Sequence, residues 1–202
     1  MNIAPPFIAA ALAAVLLTGS TAASAQMSIT LNAGYAGTNG IDNVTTGSGA
    51  DVDSAPTFGL ALGWPLDASR ELELLYKQQS TTLSPGGGAA PFDLTIRYLH
   101  IGGSLFVDGP VGRGLYAVGG VGVTQFSPST SGYGSEVKPS GNLGFGYLLP
   151  LGQRIALRVE ARGYLSLVNS SGGFLCSGGC VVVLKSDAVT QYEATVGLSA
   201  RF

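Results

Sequence analysis

The chain has 202 residues, of which 46% are hydrophobic and only 11% are charged, under half the usual charged share. Its 31 glycines and 10 prolines disfavour helix interiors, which argues against a helical bundle and against a helical membrane protein. A formal net charge of -2, with the cations spread over the whole length, leaves no basic patch for nucleic acid. The composition therefore favours β structure and excludes nucleic acid as a partner.

The N-terminus has the features of a secretory signal peptide. Residues 1–25 carry no charged side chain, and their apolar run from Phe7 to Leu17 is too short for a spanning helix of about 20 residues. Ala23-Ser24-Ala25 fits a signal peptidase site. We expect cleavage after Ala25, which leaves residues 26–202 as one exported domain. The alternative is a retained amphipathic anchor, which the lack of a polar face disfavours.

The rest of the chain consists of segments in which apolar and polar residues alternate. The segments 154–167 and 191–202 are long, and in both the charged residues share one face, as in a two-faced strand. Shorter alternation covers 28–35, 57–64, 71–77, 92–98 and 142–149. An eighth segment, 115–126, contains three glycines that leave its facing undecided, and Gly102-Gly103 could hold a bulge that shifts the phase.

Short and long connections take turns between these segments. Those at 66–69, 108–112 and 150–152 are short, and those at 37–55, 80–91, 127–136 and 169–187 are longer. An even number of strands with this pattern is typical of a bacterial outer-membrane barrel, and a soluble β-sandwich is the alternative. We predict an all-β, eight-stranded, antiparallel up-and-down transmembrane β-barrel.

Aromatic residues give a second test, because a barrel in lipid carries rings at both interfaces. In the predicted strands, Trp64, Tyr147 and Phe202 fall at the ends with short turns. The ends with long loops hold Tyr35, Phe58, Tyr76, Phe92 and Phe126. A sandwich core predicts no such sorting.

With these features the sequence resembles the OmpA/OmpX-like family of small outer-membrane β-barrel proteins, a porin-like superfamily. The most specific match is the C-terminal segment, in which Thr195, Gly197, Ala200 and the terminal Phe202 are similar to the family's assembly signal. The resemblance implies an outer-membrane location, contact with lipid and lipopolysaccharide, and recognition by the outer-membrane assembly machinery. The same architecture serves adhesins, porin-like proteins and enzymes.

The alternation assigns a set of charged residues to the barrel lumen. Eight strands enclose barely enough space for their own side chains, so we expect these charges to pair and fill the lumen. A gated pore and a catalytic acid–base pair are the alternatives. The residues are Glu71, Glu73, Lys77, Asp93, Arg97, Arg154, Arg158, Glu160, Arg162, Glu193 and Arg201.

Few residues outside the lumen could carry chemistry. We expect a disulfide between Cys176 and Cys180 in the last loop of an exported protein, with free thiols or a metal pair as alternatives. His100 is the only histidine. Lipopolysaccharide deacylases of similar architecture use a His-x-Ser pair, but here Gly102 occupies the position of the serine, two residues after His100. Asp42, Asp51 and Asp53 of the first loop could meet divalent ions, although a solvated acidic loop is favoured.

Three functions compete on this sequence. The leading hypothesis is a non-enzymatic surface protein with a structural, envelope-integrity or adhesion-type role, because binding usually resides on loops carried by a rigid scaffold. A narrow porin-like channel for small or apolar solutes is the second, and a lipid A-modifying enzyme is the third. We predict a monomer without a cofactor, and the loop composition names no extracellular ligand.

Overall fold

The computed structural model describes residues 27–38, 51–84, 90–129, 134–167 and 188–202. The predicted signal peptide, Asp42 and the predicted disulfide of Cys176 and Cys180 lie outside the described residues. The described part contains nine strands. They are β1 (Ser28–Thr38), β2 (Asp51–Val52), β3 (Ala55–Pro65), β4 (Arg70–Ser84), β5 (Phe92–Phe106), β6 (Gly114–Pro128), β7 (Glu136–Pro150), β8 (Ile155–Leu167) and β9 (Ala188–Arg201).

Eight of these strands form a closed antiparallel barrel. Each long strand pairs with its neighbour in the chain, β9 pairs with β1 to close the ring, and the two-residue β2 pairs with β4. The predicted up-and-down barrel is thereby confirmed. Within the described ranges no helix is long and apolar enough to cross a membrane.

The register of the pairs fixes the width of the barrel. Starting at Ser28 and stepping through successive partners around the ring leads back to β1 at Thr38, a stagger of 38 − 28 = 10 residues. The steps are Ser28, Gly63, Glu73, Gly102, Gly120, Asn142, Tyr164, Gln191 and Thr38. With eight strands this stagger gives tilted strands around an interior that side chains can fill.

The barrel is apolar outside, and the middle part of its interior is polar. Leu143 is 74% exposed and Phe58 66%, whereas Lys77 is 2% exposed and Glu160 4%. A soluble protein has the opposite arrangement, and an exposed apolar band around the whole barrel requires a bilayer as its solvent. The ends of the barrel differ in their connections. We name the end with connections 66–69, 107–113 and 151–154 the turn-side end, and the other the loop-side end.

The facing predicted for 92–98 is wrong. Phe92, Leu94, Ile96 and Tyr98 point into the barrel and are buried, while Asp93 and Arg97 lie on its outer face. Arg97 there donates hydrogen bonds to Gln78 and Gln125 of the neighbouring strands. Asp93 and Arg97 therefore do not belong to the lumen.

The reason for this error is a change of solvent along β5. Its turn-side half, with Leu99, Ile101 and Leu105 facing outward, lies in lipid. Its loop-side half has polar outward residues, as a wall in contact with water has, and so its apolar residues turn inward. The pairing of β5 with both neighbours continues through Gly102 and Gly103 without an extra residue. Even-numbered residues therefore point inward along the whole strand, and the apolar residues change from one face to the other without the predicted bulge.

The same inversion corrects part of the aromatic pattern. Phe92 and Phe126 are buried inside the loop-side end, whereas Tyr35 and Phe58 at that end face outward. The facing of β6, which the sequence leaves undecided, is also resolved. Tyr116, Val118, Thr124 and Phe126 point inward, and Leu115, Val121 and Val123 point outward.

Gly102 marks a place where the backbones of β5 and β6 approach too closely for a side chain. A Cβ atom at this position would lie 2.0 Å from the carbonyl oxygen of Gly119, and a backbone atom in a closed sheet cannot yield. We expect Gly102→Ala to lower the free energy of unfolding by about 1 to 3 kcal/mol. The matched control is Gly119→Ala, whose Cβ would have no neighbour closer than 3.4 Å. Equal stability of both variants in denaturant titrations would contradict the close approach.

Candidate functional site: the barrel lumen

Two glutamates and two arginines form a neutral ring in the turn-side half of the lumen. Arg158 Nη2 lies 2.6 Å from Glu73 and 2.5 Å from Glu160. Arg162 Nη2 lies 2.9 Å from each of the same carboxylates. Tyr116 donates to Glu160 at 2.8 Å and accepts from Arg158 Nε at 2.7 Å. Every carboxylate here is held by two guanidinium groups, which is the condition for burying charge at acceptable cost.

A second ion pair lies nearer the loop-side end. Lys77 Nζ is 2.7 Å from Glu193 Oε2, and both side chains are 2% exposed. The same carboxylate accepts hydrogen bonds from Tyr164 and Thr57. These contacts satisfy Glu193 on both of its oxygens and fix the position of the ammonium group.

The charges near the turn-side end are arranged differently from the prediction. Glu71 points inward and accepts from Ser28 Oγ at 2.7 Å, and the positive charges of Arg158 and Arg201 act on it. Arg201 is only partly buried and donates to the carbonyl of Val111 at 2.6 Å, so it seals the turn-side end without joining the central ring. Arg154 is exposed in the turn after β7. Its predicted lumenal position is wrong, because β8 and its alternation begin only at Ile155.

His100 contacts a serine of β7 over Gly122 of the intervening β6, in a geometry that resembles a nucleophile and its base. Its Nε2 lies 2.7 Å from Ser140 Oγ, and its Nδ1 lies 2.5 Å from Asn142 Nδ2. Arg162 donates to Asn142 Oδ1 at 3.1 Å, which fixes the amide with its NH2 group toward His100. Nδ1 must then accept, so the proton is on Nε2 and is donated to Ser140. In this arrangement His100 cannot take the proton of Ser140.

Apolar side chains close the lumen above and below the polar zone. The loop-side cluster contains Val52, Leu83, Phe92, Leu94, Ile96, Phe126 and Val189. The turn-side cluster contains Phe106, Val111, Tyr116, Val118, Leu148 and Ala156. Between them, a void lined by Lys77, Tyr98, Tyr164 and Glu193 has a volume of about 10 Å³, room for at most one water molecule. The described lumen is therefore a packed core and not an open channel.

The turn between β5 and β6 closes the turn-side end. Val111 is buried in the turn-side cluster. Its N–H donates to the carbonyl of Ala68 at 2.8 Å, and its own carbonyl accepts from Arg201. The turn is thus tied to the connection after β3 and to the end of β9, on different sides of the ring. This closed turn blocks the route through the barrel at its turn-side end.

Several partners of the charged residues have no charge themselves, so the sequence does not single them out. Tyr116 lies on β6, whose facing the sequence leaves open, and Tyr164 and Asn142 read as ordinary strand residues. All three are held by charged side chains of strands β8 and β9. Their usable signal is position: each lies at the same parity as the inward residues of its strand.

The residues of the predicted assembly signal occupy the last strand and its end. Thr195 and Gly197 are buried on the inner face, while Ala200 points outward and Phe202 is exposed just beyond β9. The N–H of Phe202 donates to the carbonyl of Met27 at 3.0 Å. The terminal aromatic ring is therefore presented at the outer rim next to the seam between β9 and β1.

The closed ring, the outward apolar band and the filled polar lumen together define a small transmembrane β-barrel of the outer-membrane type. No match was found among protein-family models or curated protein sequences, so the comparisons rest on structure. Solved structures that resemble this chain include several small outer-membrane β-barrels, which agrees with the predicted eight-stranded barrel architecture.

Three of these structures have the same overall fold. Neisserial surface protein A aligns with a TM-score of 0.58 at 12% identity, over 90% of this chain and 100% of its own. Ail, the attachment invasion locus protein of Yersinia pestis, aligns at 0.50 and 14%, over 89% and 100%. The outer membrane protein AlkL aligns at 0.50 and 16%, over 100% and 97%. At these identities the likeness establishes the fold.

Proposed function

We propose that the protein is a closed, non-enzymatic outer-membrane scaffold that displays its long connections at the cell surface. The observation that carries this proposal is the filled lumen, in which paired charges are sandwiched between two apolar clusters. A barrel with no route through it offers its surfaces for function, and the four long connections all leave from one end. The likeness to an attachment invasion protein supports an adhesion-type role, alongside a structural role in the envelope.

The filled lumen disfavours the two alternatives. A conduit for ions or small solutes needs a continuous wet path, but the apolar clusters and the turn at Val111 block both ends of the described lumen. A lipid A-modifying enzyme needs a nucleophile with a base that can accept its proton. His100 donates to Ser140 and so cannot accept its proton, and both side chains are buried inside the barrel, away from lipid.

The proposed partners follow from the outer surfaces. The apolar band fits membrane lipid, and the polar outward residues at the loop-side end, Arg97 among them, fit the headgroup and sugar region of lipopolysaccharide. The exposed ring of Phe202 beside the β9–β1 seam fits recognition of the C-terminal segment by the assembly machinery. The four connections are the proposed binding elements for an extracellular ligand.

Conductance tests the proposal most directly. We expect the full-length protein in planar bilayers to give no stepwise currents in salt solution, because no continuous water column can form. An open porin inserted in the same way serves as the positive control. Arg158 lies in the lumen and Arg97 on the outer face. Stepwise currents would refute the scaffold and establish a conduit if their ion selectivity changed in Arg158→Gln but not in Arg97→Gln.

The display role needs a separate readout. Cells carrying the full protein are compared with cells in which the four long connections are replaced by short polar turns on the same barrel. We expect binding to matrix or to neighbouring cells to be lost with the connections. The folded barrel should still be heat-modifiable, which means that unboiled and boiled samples migrate differently on a detergent gel. Binding that persists without the connections would contradict it.

A further inference from the structure

A cleft with three arginines lies at the turn-side end of the barrel. It has a volume of about 250 Å³ and lies between the turn after β5, the turn after β7 and the end of β9. Arg113, Arg154 and Arg201 line it, and its lining contains no carboxylate. In the described part of the chain neither Arg113 nor Arg154 forms an ion pair. The charges of Arg113 and Arg154 are therefore left without an ion-pair partner among the described residues.

Backbone and side-chain contacts hold this cleft in shape. The N–H of Arg201 donates to the carbonyl of Arg154 at 2.8 Å, which joins the end of β9 to the turn before β8. The guanidinium of Arg201 lies directly over Gly112, where a Cβ atom would fall 1.4 Å from Nη2. Gly112 has φ +91, a conformation that a glycine adopts without strain. The absence of a side chain at Gly112 thus provides the space that the guanidinium of Arg201 occupies.

The cleft extends from the lumen-facing residues Ala156 and Ser199 to the edge of the lipid-facing band. Ile155, the first outward residue of β8, lines it and is 52% exposed. Beyond Ile155 the outward face continues with the paired residues Leu157 and Leu198. A molecule with its polar end in the cleft would lay an apolar tail along this face. A soluble anion would use the arginines alone and leave the apolar edge without a role.

We propose that this cleft binds the phosphate of an anionic phospholipid, of the phosphatidylglycerol kind, in the leaflet at the turn-side end. Guanidinium groups match phosphate oxygens in charge and in bidentate geometry. Basic pockets at a membrane surface are known to hold anionic headgroups. The headgroup lies among Arg113, Arg154 and Arg201, and the acyl chains follow the outer face of β8 and β9.

Lipid retention in native mass spectrometry tests this proposal. The full-length protein in detergent is mixed with equal amounts of phosphatidylglycerol and phosphatidylcholine of the same chain length. We expect preferential retention of phosphatidylglycerol, reduced about fivefold for each arginine removed in Arg113→Gln and Arg154→Gln. Both side chains are exposed, so the variants keep the heat-modifiable mobility of the folded barrel.

The matched control is Arg70→Gln at the same end of the barrel. Arg70 lies 2.6 Å from Asp67, and hydrogen bonds from the Ser69 N–H and the Arg70 side chain lower the pKa of Asp67 to about 2, so this pair is charged and compensated at neutral pH. We expect Arg70→Gln to retain the wild-type preference. Unchanged retention in Arg113→Gln and Arg154→Gln, or an equal loss in Arg70→Gln, would overturn the site. Displacement of the lipid by millimolar inorganic phosphate would show a free-anion site and overturn the lipid assignment.

Discussion

Replacing Glu160 with glutamine should lower the free energy of unfolding by about 3 to 5 kcal/mol, because it leaves two buried guanidinium groups short of one negative charge. Glu160 accepts from Arg158, Arg162 and Tyr116 at once. A glutamine of the same shape keeps one oxygen acceptor but turns its NH2 group toward donors. The loss therefore comes from charge and hydrogen bonding, with little change in packing.

The measurement is denaturant unfolding of the full-length protein in lipid vesicles, followed by Trp64 fluorescence and by gel mobility. The matched control is Asp93→Asn, which removes a carboxylate from the outer, exposed face of β5 and should change the free energy by less than about 1 kcal/mol. A loss below about 1 kcal/mol for Glu160→Gln as well would mean that water screens the lumen, and the closed-scaffold proposal would fail with it.

A double variant tests whether the loss comes from the unbalanced charge. Arg162→Gln added to Glu160→Gln restores a neutral ring, in which Arg158 still faces Glu73 at 2.6 Å. We expect the double variant to be more stable than the sum of the two single losses predicts, since contacting residues couple. Strict additivity would indicate that the two side chains act independently.

The sequence allowed the barrel, its strand number and the inward faces of β4, β8 and β9 to be predicted. In those strands the charged residues lie within the lipid-spanning part, so one rule of alternation holds from end to end. Glu73, Arg158, Glu160, Arg162, Lys77 and Glu193 point inward on that rule. Their partners could not be derived, because Glu73 of β4 meets Arg158 of β8 across the lumen, and no ladder pairs these strands.

Strand β5 failed for a different physical reason. Alternation reports which face is apolar, and this equals the lipid face only while the strand is in the membrane. The usable signal is the adjacent pair Tyr98 and Leu99, where two successive apolar residues break the alternation and the apolar parity switches from even to odd numbers. A bulge would produce the same break, so only the continuous pairing with β4 and β6 distinguishes a change of solvent from an inserted residue.

That change of solvent leads to the second large effect, at two neighbouring positions of β5. Ile96 is 1% exposed inside the loop-side cluster, and Thr95 lies on the outer wall. We expect Ile96→Asp to cost at least about 3 kcal/mol or to prevent folding, because the carboxylate would be buried among apolar side chains without a cation. Thr95→Asp should change the free energy of unfolding by about 0.5 kcal/mol or less, as surface substitutions do.

Ile96→Ala keeps this test decisive if the aspartate variant does not fold. Its loss of packing should cost about 2 to 5 kcal/mol in a dry cluster, measured by denaturant unfolding in vesicles, and the Thr95→Ala variant is its control. An uninterrupted lipid face along β5 would give the same order for the aspartate variants, because Thr95→Asp would be tolerated in a polar lumen and Ile96→Asp would meet lipid. The two cases separate on Ile96→Ala. On a lipid face the acyl chains would fill the space left by the side chain and the loss would be small, whereas a buried cluster keeps the cavity and loses the full amount.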